Sequence, residues 1–213
     1  MLFTDMLPQL LTDAPGCPPM TAVNALRNAS VDFCAATNAW NDLLAAFALV
    51  DGQRDYTIAS PAGARALTVM AIHKANGRLV PKTLEQIGRD YPGWQTMTSA
   101  MPDAFSVVTG GLSVRLFPTP LNALSAQLSM RVSFAPTIAG TSLPDWVAEK
   151  YFECLLDGAR SRLLAIPQKA WSDAQLAAYH GGRFMQGKAD ALLTVMNEGL
   201  SARMTVAPRR FGF

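Results

Sequence analysis

The chain has 213 residues, a length typical of one domain or of a domain with a second small module. Half of its residues are hydrophobic and only 16% are charged, so we expect protein partners to cover part of its surface. The formal net charge of +2, with no run of Lys or Arg apart from Arg209-Arg210, argues against a nucleic-acid-binding protein.

The sequence predicts neither a membrane span nor export. Every apolar stretch is interrupted by a charge, Gly or Pro before the ~18 residues needed to cross a bilayer. The first residues lack a basic segment and include Asp5, so we expect no secretory signal and a location in the cytoplasm of the cell that makes the protein. Cys17, Cys34 and Cys154 form no CxxC pair and are odd in number, which favours free thiols.

The first predicted element is an amphipathic helix from Pro18 to Trp40. Two prolines suit its first turn. Apolar residues then recur at steps of three and four, at Val23, Leu26, Ala29, Phe33, Ala36 and Trp40. The opposite face is polar, so we expect this helix to cover a core on one side only.

The region from Leu43 to Phe134 predicts antiparallel β sheet, arranged as a small sandwich or barrel. Its clearest strand is 124–134, whose alternating apolar positions are Leu124, Ala126, Leu128, Met130, Val132 and Phe134. Asn76-Gly77 and Gly110-Gly111 predict hairpin turns, because these dipeptides tolerate positive φ. Residues 84–94 match no pattern.

Two further helices are predicted after the loop 135–141. The first starts at Ser142–Asp145, which resembles a capping box, and ends before Pro167. The second starts at the capping box Ser172–Gln175 and runs toward Gly199, with a candidate kink at Gly181-Gly182. Its start is flanked by the staple pair Trp171 and Leu176, and its predicted inner face is Leu176, Tyr179, Phe184, Ala191, Leu192 and Val195.

The predicted fold class is therefore α+β. Residues 1–42 and 142–200 form a helical bundle, because a single amphipathic helix cannot bury its face alone, and residues 43–141 form an inserted β module. Residues 201–213 form an extended tail. We expect this tail to be a docking peptide, with a frayed end as the alternative, and its proposed docking residues are Pro208, Arg209, Arg210, Phe211 and Phe213.

No catalytic, cofactor-binding or metal-binding site is predicted. GxGxxG, P-loop, GxSxG and HExxH motifs do not occur in the sequence. His73 and His180 each lack a second ligand at metal-binding spacing. Cys34 with either histidine is the only formal nucleophile–base pair, and a cysteine on an apolar helix face is more typical of packing. We predict a non-enzyme, with a hydrolase that uses Cys34 or His180 as the alternative from another class.

Two stretches resemble a family of tailed-bacteriophage virion proteins. The N-terminal stretch comprises Leu7-Pro8, Asp13–Pro18, Ala25–Ala29, Asp32–Cys34, Thr37 and Trp40. The C-terminal stretch comprises Leu143–Trp146, Tyr151–Glu153, Asp157–Leu164, Pro167, Lys169–Asp173, Phe184 and Gly187. Over nearly its whole length, and least in the β module, the chain is similar to head-to-tail adaptor (connector) proteins of short-tailed phages.

This resemblance implies a structural protein at the head–tail interface of the virion. Such subunits form a homo-oligomeric, dodecameric ring that binds the phage portal protein and receives the tail nozzle or tail-tube protein. The lumen passes double-stranded DNA during genome ejection. The resemblance implies no catalytic residue and no cofactor, and it makes the portal the expected partner of the docking residues in the tail. A tail-tube or tail-completion protein is the alternative within the same class, and the alternative hydrolase would be a virion-associated one.

Overall fold

A computed structural model describes residues 1–108, 113–122 and 127–197, and it has the predicted α+β fold. Helices lie at both ends of the chain and β sheets lie between them. After a short 3-10 helix, Phe3–Met6, the α-helices are α1 (Leu7–Asp13), α2 (Pro19–Thr37), α3 (Leu84–Asp90), α4 (Asp145–Lys150), α5 (Phe152–Leu164) and α6 (Ala174–Met196). The strands are β1 (Asn41–Leu43), β2 (Phe47–Ala48), β3 (Asp55–Thr57), β4 (Ala64–Lys74), β5 (Gly77–Arg78), β6 (Val80–Pro81), β7 (Thr98–Ser99), β8 (Ala104–Val107), β9 (Ser113–Phe117), β10 (Thr119–Pro120) and β11 (Gln127–Pro136).

The described residues of the β module form three small sheets. One has the order β1-β11-β4-β5, with β2 also paired to β11, and another has the order β3-β9-β8-β6. Most strand pairs are antiparallel, as predicted, and two short pairs differ, since β6 runs parallel to β8 and β7 runs parallel to β10. The connection from β6 to β8 includes α3 and is long enough for a parallel crossover. None of these sheets closes into a barrel within the described residues.

The predicted hairpins occur. β4 and β5 pair with Lys74 opposite Gly77, so the turn lies at 75–76, and Gly77 itself has a φ of +135°. β8 and β9 pair antiparallel on either side of Gly110-Gly111, a dipeptide that lies outside the described residues.

The predicted strand 124–134 is described from Gln127 onward as β11. Its apolar side is buried as predicted, at Leu128, Met130, Val132 and Phe134. Ser133, on the opposite side of the strand, is also buried, and its Oγ donates a hydrogen bond of 2.9 Å to Oδ1 of Asn38.

Residues 84–90 form α3, which the sequence pattern did not reveal. Thr83 Oγ1 accepts a hydrogen bond from the Gln86 amide at 3.2 Å, and Gln86 Oε1 accepts one from the Thr83 amide at 2.9 Å. The Thr-x-x-Gln spacing of this capping box was the available signal.

Several predicted helix ends were wrong. α2 ends at Thr37 because Asn38 adopts a left-handed conformation with φ +51°. Ser142 is not the cap of α4, since the N-cap position of that helix is Pro144. The cap of α6 is Asp173 and not Ser172, because Asp173 Oδ1 accepts from the Leu176 amide at 2.9 Å.

One apolar core joins the helices to the β module. α2 packs against α5, α6 and β11, and buried side chains such as Phe33 of α2 and Phe134 of β11 belong to the same cluster. Trp40 follows α2 and packs its ring 5.9 Å from that of Phe134. The division into a bundle and an inserted module stays a prediction.

Candidate assembly surface

The inner side of α6 packs closely on α5 at two glycines. A Cβ on Gly158 would lie 2.7 Å from the Phe184 ring, and a Cβ on Gly187 would lie 2.6 Å from Sγ of Cys154. Real Cβ atoms do not approach other atoms this closely. Both glycines therefore permit the contact between the two helices within one subunit.

A buried carboxylate fixes α6 to α5 and α1. The side chain of Asp157 is only 3% exposed, and its Oδ1 lies 2.7 Å from Nδ1 of His180. Its Oδ2 lies 3.1 Å from Nε of Arg183 and forms an ion pair with it. Arg160, 3.6 Å from Asp157, also donates to Asp13 at the end of α1. Removing Asp157 would leave several polar groups without their partner.

A second ionic cluster ties α2, α5 and α6 together. Oδ2 of Asp32 accepts from Nη2 of Arg162 at 2.9 Å, and Nζ of Lys188 lies 3.3 Å from the same carboxylate. Both cations also contact the buried Phe184 ring, with Arg162 5.4 Å and Lys188 4.7 Å from its centroid. The inner side of α6 is thus fixed by packing and by charge.

The other side of α6 is apolar and exposed. Six residues, which we call the outer α6 face, follow one another at steps of four, three, four, three and four: Ala178, Gly182, Met185, Ala189, Leu192 and Met196. This is the spacing of a coiled-coil seam. All six are exposed, with Met185 at 62% and Met196 at 67%. The exposed Tyr179 and Leu193 flank them.

The predicted inner face of this helix was therefore partly wrong. Phe184 and Ala191 are buried and Val195 packs against the core, whereas Leu176, Tyr179 and Leu192 are exposed. The reason is that α6 carries two apolar stripes, and residues of both fall at helical spacing. The helix is continuous across Gly181-Gly182.

Gly182 is not explained by the fold of the subunit. It lies in the interior of a helix, where glycine costs about 1 kcal/mol relative to alanine. A Cβ at this position would meet nothing within 4 Å, in contrast to Gly158 and Gly187. The free space beside Gly182 opens onto the outer α6 face.

The candidate nucleophile–base pair finds no support in the geometry. Cys34 is fully buried in α2, and burial raises the pKa of its thiol to about 12, so it is protonated at neutral pH. His180 directs Nδ1 at Asp157, and His73 lies in β4 opposite Ser129.

The remaining sequence-based predictions concern metal binding, membrane spans and the docking residues of the tail. Over residues 1–108, 113–122 and 127–197, no cluster of three or more His, Cys, Asp or Glu side chains is suited to holding a metal ion. No helix in the same part of the chain has the length and hydropathy needed to cross a bilayer. The predicted docking residues Pro208, Arg209, Arg210, Phe211 and Phe213 lie outside the described residues.

Neither a protein-family model nor a curated protein matches this chain.

Proposed function

We propose that the chain is a structural virion protein that acts by assembling with other subunits, as a head-to-tail adaptor ring between the portal and the tail. The observation that carries the proposal is the outer α6 face. It presents a regular apolar seam to solvent, although the opposite side of the same helix already supplies the contacts that hold α6 in the subunit.

A contiguous apolar surface of this kind favours a protein partner. Scattered exposed apolar side chains are common on soluble proteins, whereas a continuous patch marks an interaction site. The six seam residues include no charged side chain. They therefore offer nothing to the phosphates of a nucleic acid, whose binding depends on Lys and Arg.

The adaptor role rests on the resemblance of the sequence, and several residues of that resemblance act in packing. Gly158, Phe184 and Gly187 form the close contact between α5 and α6, and Asp157 is the buried carboxylate between them. These residues of the resemblance therefore act in packing the helices together. We propose that the protein is not an enzyme, since its one candidate nucleophile is buried and protonated.

Capture by the portal tests this function. The purified chain is mixed with the isolated portal ring of the same phage, and the complex is separated on a density gradient and imaged by electron microscopy. We expect a ring of this chain on one end of the portal. Leu192→Asp should prevent the assembly, because it places a charge in the seam.

Leu84→Asp is the matched control. Leu84 is an exposed leucine in the first turn of α3, away from the outer α6 face, and an acidic residue is favourable there. This variant should assemble normally. Absence of any portal complex with the wild-type chain would contradict the adaptor role, and capture by tail-tube protein alone would support the tail-completion alternative.

A further inference from the structure

We propose that the outer α6 face binds a second copy of itself, with the two α6 helices antiparallel about a two-fold axis level with Gly187. The partner is a helix because the exposed residues follow the steps of a coiled-coil seam over more than two heptads. A sheet edge or an extended peptide would not require this spacing.

The sizes of the seam residues specify the antiparallel direction. In a pair centred at Gly187, residues at equal sequence distance on either side of it face each other across the axis. Gly182 then faces Leu192 of the second copy, Ala178 faces Met196, and Met185 faces Ala189. Each layer joins a small residue to a large one, which is the arrangement that fills space between helices.

A parallel pair would not pack in this way. Each seam residue would then face its own counterpart, so Gly182 would face Gly182 and Met196 would face Met196. The small layers would leave a void, and the large layers would hold the helices apart. Voids and overpacking both lower stability.

Gly182 has a use in the antiparallel pair that it lacks in the isolated subunit. The space beside its Cα is open, and in the pair the Leu192 side chain of the second copy enters it. Small residues at a helix crossing allow the backbones to approach closely. The cost of a glycine in a helix interior is thus offset by a contact between subunits.

Charge and area are compatible with self-association. Lys188 lies one residue from the axis and faces Gln186 of the second copy. It is bound to Asp32 and only 13% exposed, so repulsion between the two Lys188 side chains is small. The apolar area available to a partner comes from the large exposed side chains of the seam and its flanks, with Tyr179 57%, Leu193 54%, Met185 62% and Met196 67% exposed.

A two-fold contact closes after two copies and cannot by itself build a ring. The dimer is therefore the form of the free chain, in which the assembly surface is covered until ring partners replace the second copy. Of these statements, only the role of the dimer as a covered form of the free chain rests on the proposed function. The pairing itself is measured without a portal, so a dimer without portal capture refutes the adaptor role alone, and capture without a dimer refutes the pairing alone.

Sedimentation equilibrium of the full chain provides the first test. We expect a species of twice the 22.9 kDa chain mass. Gly182→Leu should weaken the dimer at least about a hundredfold, because the overpacking occurs twice in a two-fold contact. Gly88→Leu is the matched control, since Gly88 is also a helical glycine with open space around it. A monomeric wild-type chain, or equal loss in both variants, would overturn the pairing.

Cross-linking tests the direction. Ala178→Cys and Met196→Cys chains are mixed and treated with a short bis-maleimide, with the wild-type chain as the background control for its own cysteines. We expect a cross-linked dimer in the mixture. We expect none with Ala178→Cys alone, because its two new thiols would be about 27 Å apart along the antiparallel helices. A product of Ala178→Cys with itself would indicate a parallel pair and overturn the proposal.

The other candidate for covering the outer α6 face is the chain's own segment 201–213. Oxidation of Met185 is measured in the full chain and after truncation that leaves Leu200 as the last residue. A monomer in which Met185 becomes oxidisable only after truncation would assign the outer α6 face to that segment, and would also overturn the pairing.

Discussion

Alanine at Gly158 should destabilise the subunit, although alanine is the better helix former. Replacing an interior helical glycine by alanine gains about 1 kcal/mol in propensity. At Gly158 the new Cβ would lie 2.7 Å from the Phe184 ring and 3.0 Å from Cβ of Ala29. Phe184 belongs to α6 and Ala29 to α2, so α5 cannot move away from one without meeting the other.

The cost of this overpacking is at the upper end of its usual range, about 3 kcal/mol. The Phe184 ring cannot turn aside cheaply, because Arg162 and Lys188 both contact it. Subtracting the gain in propensity leaves a net loss of about 2 kcal/mol in the free energy of unfolding. The expected loss therefore arises entirely from the contacts of the one methyl group that the substitution adds.

The matched control is Gly182→Ala, measured in dilute solution where the chain is monomeric. No atom lies within 4 Å of that Cβ, so the free energy of unfolding should rise by about 1 kcal/mol. Urea unfolding followed by circular dichroism measures both variants. Equal stabilisation by the two substitutions would refute the close packing of α5 against α2 and α6.

Four further predictions follow from the same structure and sequence. Asp173→Ala should cost about 1 kcal/mol in urea unfolding, because it removes the cap of α6, and a neutral result would contradict the assigned cap. Asp157→Ala should cost about 3 kcal/mol, since it leaves buried polar partners unsatisfied, and a loss below that of Asp173→Ala would contradict this. Burial raises the pKa of Cys34 from its ordinary 9.0 to about 12, so stability is full below pH 9 and falls by up to about 1.4 kcal/mol per pH unit from there toward pH 12. Cys34→Ala should flatten this slope in a urea series, and an unchanged slope would contradict the assignment. Truncation after Ala207 should leave the chain folded but abolish its capture by the portal, and unchanged affinity would identify the tail as a frayed end.

The sequence predicts those elements that carry one apolar stripe, because that stripe packs within the subunit. α2 has one buried stripe, so its start and its inner residues Leu26, Ala29 and Phe33 were predicted correctly. Ala36, also predicted on that stripe, is exposed. β11 alternates between a buried and a partly exposed side, so its core residues were also correct. In both cases the spacing of apolar residues reflects burial within one subunit.

The spacing of apolar residues is ambiguous where one helix carries two apolar stripes, one packed within the subunit and the other exposed. Leu192 lies at helical spacing from both stripes of α6, and only the structure shows that it faces outward. The capping box at Thr83 was a readable signal for α3, but the helix is only two turns long and carries one fully buried apolar residue, Ile87. The parallel strand pairs depend on contacts distant in sequence, which periodicity does not encode.

The position of the protein in the virion tests the central claim most directly. The chain is labelled with a gold-binding tag that leaves infectivity intact, and purified virions are imaged by electron microscopy. The account predicts a label at the junction between head and tail in every intact particle. A label at the distal tail tip or inside the capsid, or virions that lack the protein altogether, would contradict the proposed role.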